Sequence, residues 1–112
     1  VNYQLANHAH NLVLNSALEA RIEQEVRALD PLVEHFPEDE TLLRIVIEDG
    51  PMHQYTINLR LSLPSAVLTA HESSGDLIHA INEALAKLRR QIIEHKARLR
   101  REDEYKRKNR RK

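Results

Sequence analysis

From His53 to Leu63 the chain reads HQYTINLRLSL, with Tyr55, Ile57, Leu59, Leu61 and Leu63 on one side of an extended backbone and Gln54, Thr56, Asn58, Arg60 and Ser62 on the other. A run of that length at period two fits a half-buried strand, because a helix would scatter the same apolar side chains around its circumference. Upstream, Leu43, Ile45 and Ile47 alternate with Arg44 and Glu48, and Asp49-Gly50-Pro51 supplies strong turn chemistry. Two antiparallel strands joined at that turn are expected.

A half-apolar hairpin needs neighbours and a cover. The opening VNYQLAN alternates in the same way and predicts a first strand, and AVLTAHE after Pro64 and Ser65 predicts a shorter last one, with Ala66, Leu68 and Ala70 on one face. Between the first two strands, Ser16 followed by Glu19 has the form of a capping box, and Leu18, Ile22, Val26 and Leu29 recur at helical spacing until Pro31 ends, kinks or restarts the helix near Asp30. After the last strand, Ser73 with Asp76 opens a second helix. In it Leu77, Ile81, Ala84, Leu88, Ile92 and Leu99 fall within one quadrant at 100° per residue, giving about seven turns. The expected fold is α+β: a two-layer sandwich in βαβββα order, with a four-stranded, mainly antiparallel sheet and two helices on one face. Residues 1–101 are expected to form a single domain and residues 102–112, EDEYKRKNRRK, a basic tail, either disordered or a fraying extension of the helix.

The chain's formal net charge of zero conceals a division. Residues 1–86 carry 4 Lys or Arg against 13 Asp or Glu, whereas residues 87–112 carry 13 against 4. Basic segments most often face phosphate, so this polarity suggests that the two ends face different things. With 41% hydrophobic residues and no cysteine, the composition fits an ordinary globular domain and excludes disulfides and thiolate zinc sites. No apolar stretch approaches the roughly 20 residues of a membrane span and no secretory leader is recognisable, so a cytoplasmic location is expected.

On the wheel of the last helix, Lys87, Arg90, Arg98 and Arg101 form a stripe beside the apolar face, interrupted by Glu94. Arg89, Lys96 and Arg100 lie along the opposite flank. Basic residues at such flanks commonly lay their methylene stems over a core edge, which accounts for a few of them but not for 13 in residues 87–112. RNA is the sharper reading, through contacts to phosphate. Three tyrosines and one phenylalanine are the only aromatic residues, and none clusters on the polar face of the strands, so stacking of single-stranded bases on the sheet is disfavoured. The helix's apolar face is required by the sheet, which argues against a membrane surface as the partner.

DLIHAINEALAKLRRQIIEHKARL, residues 76–99, resembles the second helix of the ribosome hibernation-promoting factors (the ribosome-associated inhibitor family) in its short form. The matching positions are Asp76, Ala80 and Ile81, Lys87 and Leu88, Arg90 and Gln91, His95 and Lys96, then Leu99, and the βαβββα order agrees. The resemblance implies a factor without catalysis that binds the small ribosomal subunit and its RNA in the channel of messenger and transfer RNA. It implies Lys87, Arg90 and Lys96 as phosphate contacts, with Arg98 standing where the family tends to carry lysine. Three features depart from the family: Ile78 in place of an aromatic residue, His79 in place of a small one, and an acidic LEARIEQEVRAL where a lysine-rich first helix is usual. Arg21 and Arg27 on that helix are at the right spacing to pair with Glu25 and Glu23.

The expected RNA-binding set is therefore Lys87, Arg89, Arg90, Lys96, Arg98, Arg100 and Arg101. The alternative is a protein-interaction or regulatory module of the same fold, whose basic tail meets an acidic partner or a second copy of the chain. Seven histidines prompt a search for chemistry, but His8 with His10 offers two ligands only, and His79 with Glu83 lies on an exposed helical turn. His95 falls on the apolar side of the wheel, where a packed or interface role is expected. With no glycine-rich phosphate loop and no nucleophile motif, no enzyme, metal or cofactor is expected.

Overall fold

The structure, a computed structural model, describes residues 1–110. Four strands, β1 (Asn2–Asn7), β2 (Leu42–Asp49), β3 (Tyr55–Leu63) and β4 (Ala66–Ser74), form one sheet in the order β1-β2-β3-β4. The connection from β1 to β2 is long and carries two helices, α1 (Ser16–Arg27) and α2 (Asp30–Val33), so that pair runs parallel. The other two pairs are antiparallel hairpins. A third helix, α3 (Leu77–Arg110), closes the chain and packs over β3 and β4. The expected βαβββα sandwich is the fold observed.

One face of the sheet holds the core. Leu43, Ile45 and Ile47 of β2 and Ile57, Leu59, Leu61 and Leu63 of β3 are buried against Ile22, Val26 and Leu29 from the first helical segment and Leu77, Ala80, Ile81, Ala84, Leu85, Leu88 and Ile92 of α3. At roughly 1.5–3 kcal/mol per fully buried large aliphatic side chain, this layer is the main source of stability. It places the start of α3 firmly and leaves its end unsupported. Among the residues whose burial is described, Leu99 is the last half-buried position, and residues 101–108 are all exposed. The chain measures 62 × 26 × 17 Å along its principal axes because α3 projects past the body.

Four local expectations are corrected. Asn15, not Ser16, caps α1, since its side-chain oxygen accepts the Leu18 N–H at 2.8 Å. Both residue types make good caps, and only the first sits outside the helix with extended backbone angles. At the other helix, Ser73 belongs to β4. Asp76 alone makes the cap, accepting the His79 N–H at 3.1 Å, while Ser74 Oγ accepts the Asp76 N–H at 3.2 Å. The last strand is as long as β3 rather than shorter, because its polar end from His71 to Ser74 pairs with Asn58 to Tyr55 although it adds no apolar alternation. Finally, β3 begins at Tyr55, since Met52 and His53 both hold left-handed backbone angles, φ 55° and 62°, that no strand accommodates. Gly50 is required in this turn: a Cβ there would meet Thr56 Oγ1 at 2.7 Å.

Candidate nucleic-acid interface

Because α3 rests on β3 and β4, its side chains sort into three groups by what lies below them. The row Lys87, Gln91 and His95, spaced one helical turn apart, leans over the outer strand β4 and its turn. Lys87 Nζ lies 2.6 Å from Glu72 Oε2 and also donates to the carbonyl of His71 at 3.3 Å. Gln91 Nε2 donates to the carbonyl of Thr69 at 2.6 Å. His95 Nε2 lies 3.0 Å from Ser65 Oγ, and its ring stacks on Phe36 at 6.4 Å, so it is a packed residue as expected. On the opposite flank Lys96 Nζ donates to the carbonyl of Leu32 at 3.1 Å and ties α3 to α2.

Two of the seven candidate cations are thus occupied within the protein. Lys87 is neutralised by Glu72, and Lys96 is spent on a backbone oxygen at the end of a short helix. Sequence periodicity placed both on the flanks of the apolar stripe but could not show what those flanks would meet. The remaining five, Arg89, Arg90, Arg98, Arg100 and Arg101, are exposed, and among the described residues none makes an ion pair. Lys106, Arg107 and Lys108 continue the exposed series along the projecting end of α3. Guanidinium groups suit this role better than ammonium groups, since each presents a planar fork that matches two phosphate oxygens.

The neighbouring helix does not add to the positive surface. Arg21 Nε lies 3.2 Å from Glu25 Oε1 and Arg27 Nη2 lies 2.8 Å from Glu23 Oε1, the pairs anticipated from their spacing. Elsewhere His10 Nδ1 lies 2.5 Å from Asp49 Oδ2 and fastens the loop after β1 to the end of β2. That hydrogen bond raises the imidazole above its ordinary pKa. His79 and Glu83 are both exposed. Among the described residues no group of three or more His, Cys, Asp or Glu side chains could hold a metal ion, and no helix is long and apolar enough to cross a membrane.

The Lys87–Glu72 pair makes a measurable prediction. The hydrogen bond from Lys87 holds the Glu72 carboxyl below its ordinary value, against the opposing effect of desolvation. A carboxyl depressed in the folded state stabilises the fold above its unfolded pKa, and that contribution is lost as pH falls through the folded value. Thermal unfolding of the wild-type chain is therefore expected to lose stability between about pH 5 and pH 3 more steeply than that of Lys87→Met, which keeps the aliphatic stem. Parallel curves for the two proteins would show that the pair contributes nothing.

Fold and surface together define a class: a small α+β domain in βαβββα order whose long closing helix carries a row of exposed arginines without ion pairs among the described residues. The chain belongs to the Sigma 54 modulation protein / S30EA ribosomal protein family, whose sequence profile matches residues 5–100. The resemblance to ribosome hibernation-promoting factors carried by residues 76–99 is thereby borne out, and the family is one of ribosome-associated, non-enzymatic factors. Among solved structures, the N-terminal domain of Protein Y from Thermus thermophilus is similar, with a TM-score of 0.66 and 21% identity over 82% of this chain and 96% of that one. A ribosomal subunit interface protein from Coxiella burnetii is similar with a TM-score of 0.65 and 19% identity, over 87% of this chain and 99% of its own. At those identities the likeness establishes the fold alone. No curated protein matches the chain in sequence.

Proposed function

We propose that the protein holds idle ribosomes inactive by occupancy: α3 docks on the ribosomal RNA of the small subunit, and the folded body obstructs the channel used by messenger and transfer RNA. The observation that carries this reading is the set of five exposed arginines on one helix, none of them neutralised among the described residues. Residues 1–101 would be the ribosome-binding domain, with the remainder of α3 a basic extension of it. The family and the similar fold of the Coxiella burnetii ribosomal subunit interface protein support a ribosomal partner, which would put the protein in the cytoplasm. Each phosphate neutralised releases counterions, so affinity should fall steeply with salt. Co-sedimentation with purified small subunits at low and moderate salt tests the proposal, and absence from the subunit peak under both conditions refutes it.

The charge division supports a second reading, in which the basic end of one copy meets the acidic body of another. Light scattering against concentration and salt in the absence of RNA separates the two. Self-assembly of that kind dissolves as salt rises, whereas a ribosome-binding monomer scatters alike throughout.

A further inference from the structure

The sheet's second face, turned away from the helices, carries an arrangement that stability does not explain. Arg44 of β2 and Arg60 of β3 are register partners, directly opposite each other across the antiparallel pair. Both are exposed, and among the described residues neither makes an ion pair. Like charges at opposed positions repel and destabilise a sheet. Glu48, the acidic residue on the same face of β2, lies four positions along the strand, roughly 13 Å away at strand rise, and is paired in register with Thr56 instead.

The two arginines stand among hydrogen-bonding side chains and one apolar neighbour on the same face, Val46, two residues along β2 from Arg44 and opposite Asn58. Gln4 of β1 pairs with Arg44 and Thr69 of β4 pairs with Arg60, so one row across all four strands reads Gln, Arg, Arg, Thr. In the adjacent row Asn58 pairs with His71. Arg44, Asn58, Arg60, Thr69 and His71 line a depression of about 430 Å³ on this face. Two guanidinium forks side by side, flanked by amide and hydroxyl groups, suit a ligand rich in phosphate oxygens and ribose hydroxyls. The row holds no aromatic side chain, so the nucleotide bases have nothing to stack on.

We infer that this face is a second RNA contact, with Arg44 and Arg60 gripping the phosphate backbone of a strand on the side of the sheet opposite α3. The inference rests on the proposed ribosomal reading and extends it: the body is a two-sided wedge held between RNA surfaces rather than a helix with a passive scaffold. Its shortest principal extent, 17 Å, is the thickness such a wedge would present.

The test compares two variants of the full chain in quantitative co-sedimentation with purified small subunits over about 50 to 200 mM salt. In Arg44→Gln/Arg60→Gln, affinity should fall about tenfold or more, and the slope of log affinity against log salt should shrink by about two units, one for each lost phosphate contact. The melting temperature should stay the same or rise, since a repulsion has been removed. The second variant, Arg90→Glu/Arg98→Glu/Arg101→Glu, reports on α3 alone. If the sheet variant keeps wild-type affinity and slope while the α3 variant loses both, the second contact is overturned and the ribosomal reading stands. If the sheet variant loses affinity and the α3 variant does not, the sheet contact stands and the docking role of α3 falls. If the wild-type chain does not bind, both fall. A change confined to oligomeric state in light scattering would make the partner an acidic surface of a second copy, and would also overturn the inference.

Discussion

Replacing Arg90, Arg98 and Arg101 by glutamate is expected to remove the protein from the small-subunit fraction at moderate salt while leaving its thermal unfolding nearly unchanged. Three charge-assisted contacts, at about 1.5 kcal/mol each, amount to roughly a thousandfold in affinity before the added repulsion is counted. The fold should not register the change, because all three side chains are exposed and make no ion pair among the described residues. Lys87 and Lys96 are deliberately left out of this variant. Reversing Lys87 would place two carboxylates where Lys87 and Glu72 now meet, and reversing Lys96 would break the tie to Leu32, so a loss of binding could then arise from damage to the fold. Undiminished co-sedimentation of the triple arginine variant would remove α3 from the interface.

The second large effect is expected in the core. Leu88 is fully buried, on the side of α3 that faces the sheet, and its truncation to alanine leaves a cavity that packed neighbours fill only in part. A loss of about 3 kcal/mol is expected, a large share of the roughly 5–15 kcal/mol typical of a domain, with a fall in melting temperature of about 15 °C. Ile93, one residue outside the core row of the same helix and 52% exposed, serves as the contrast, and its alanine variant should shift stability by no more than about 0.5 kcal/mol. Urea unfolding of both variants measures the difference. Equal effects at the two positions would contradict the assigned orientation of α3.

How far the sequence could be read depended on whether a residue's partners were near in sequence. The alternation from Tyr55 to Leu63 was legible because each second side chain enters the same core, and the apolar quadrant of α3 was legible for the same reason. The polar end of β4 was not, since His71 to Ser74 are held in the sheet by register with β3 and not by burial of an apolar face. The length of α3 was likewise hidden. Beyond Leu99 there is no apolar stripe to follow, only helix-favouring Arg, Glu and Lys, yet the helix runs to Arg110; Arg111 and Lys112 lie outside the described residues.

The same division runs through the candidate site. Sequence periodicity found the seven cations of the last helix, and helical spacing paired Arg21 with Glu25 and Arg27 with Glu23. It could not find that Lys87 reaches Glu72 or that Lys96 reaches Leu32, because those partners come from distant segments brought close by packing. Arg44 and Arg60 each read as outward-facing strand residues, but only the strand register makes them opposite neighbours. Gln91 had a weak signal, its spacing of four from both Lys87 and His95, which a search for one-sided polar rows would have picked up.

That polar row has a further effect on how copies of the protein behave toward one another. A terminal strand normally offers its free carbonyls as a template for any extended segment that drifts past, and nine-residue β4 would be long enough to recruit one. Here Lys87 and Gln91 have already claimed the oxygens of His71 and Thr69, so a newcomer would have to evict both before zippering on. Pairing of a further strand along that edge is therefore obstructed at two positions, at His71 and Thr69.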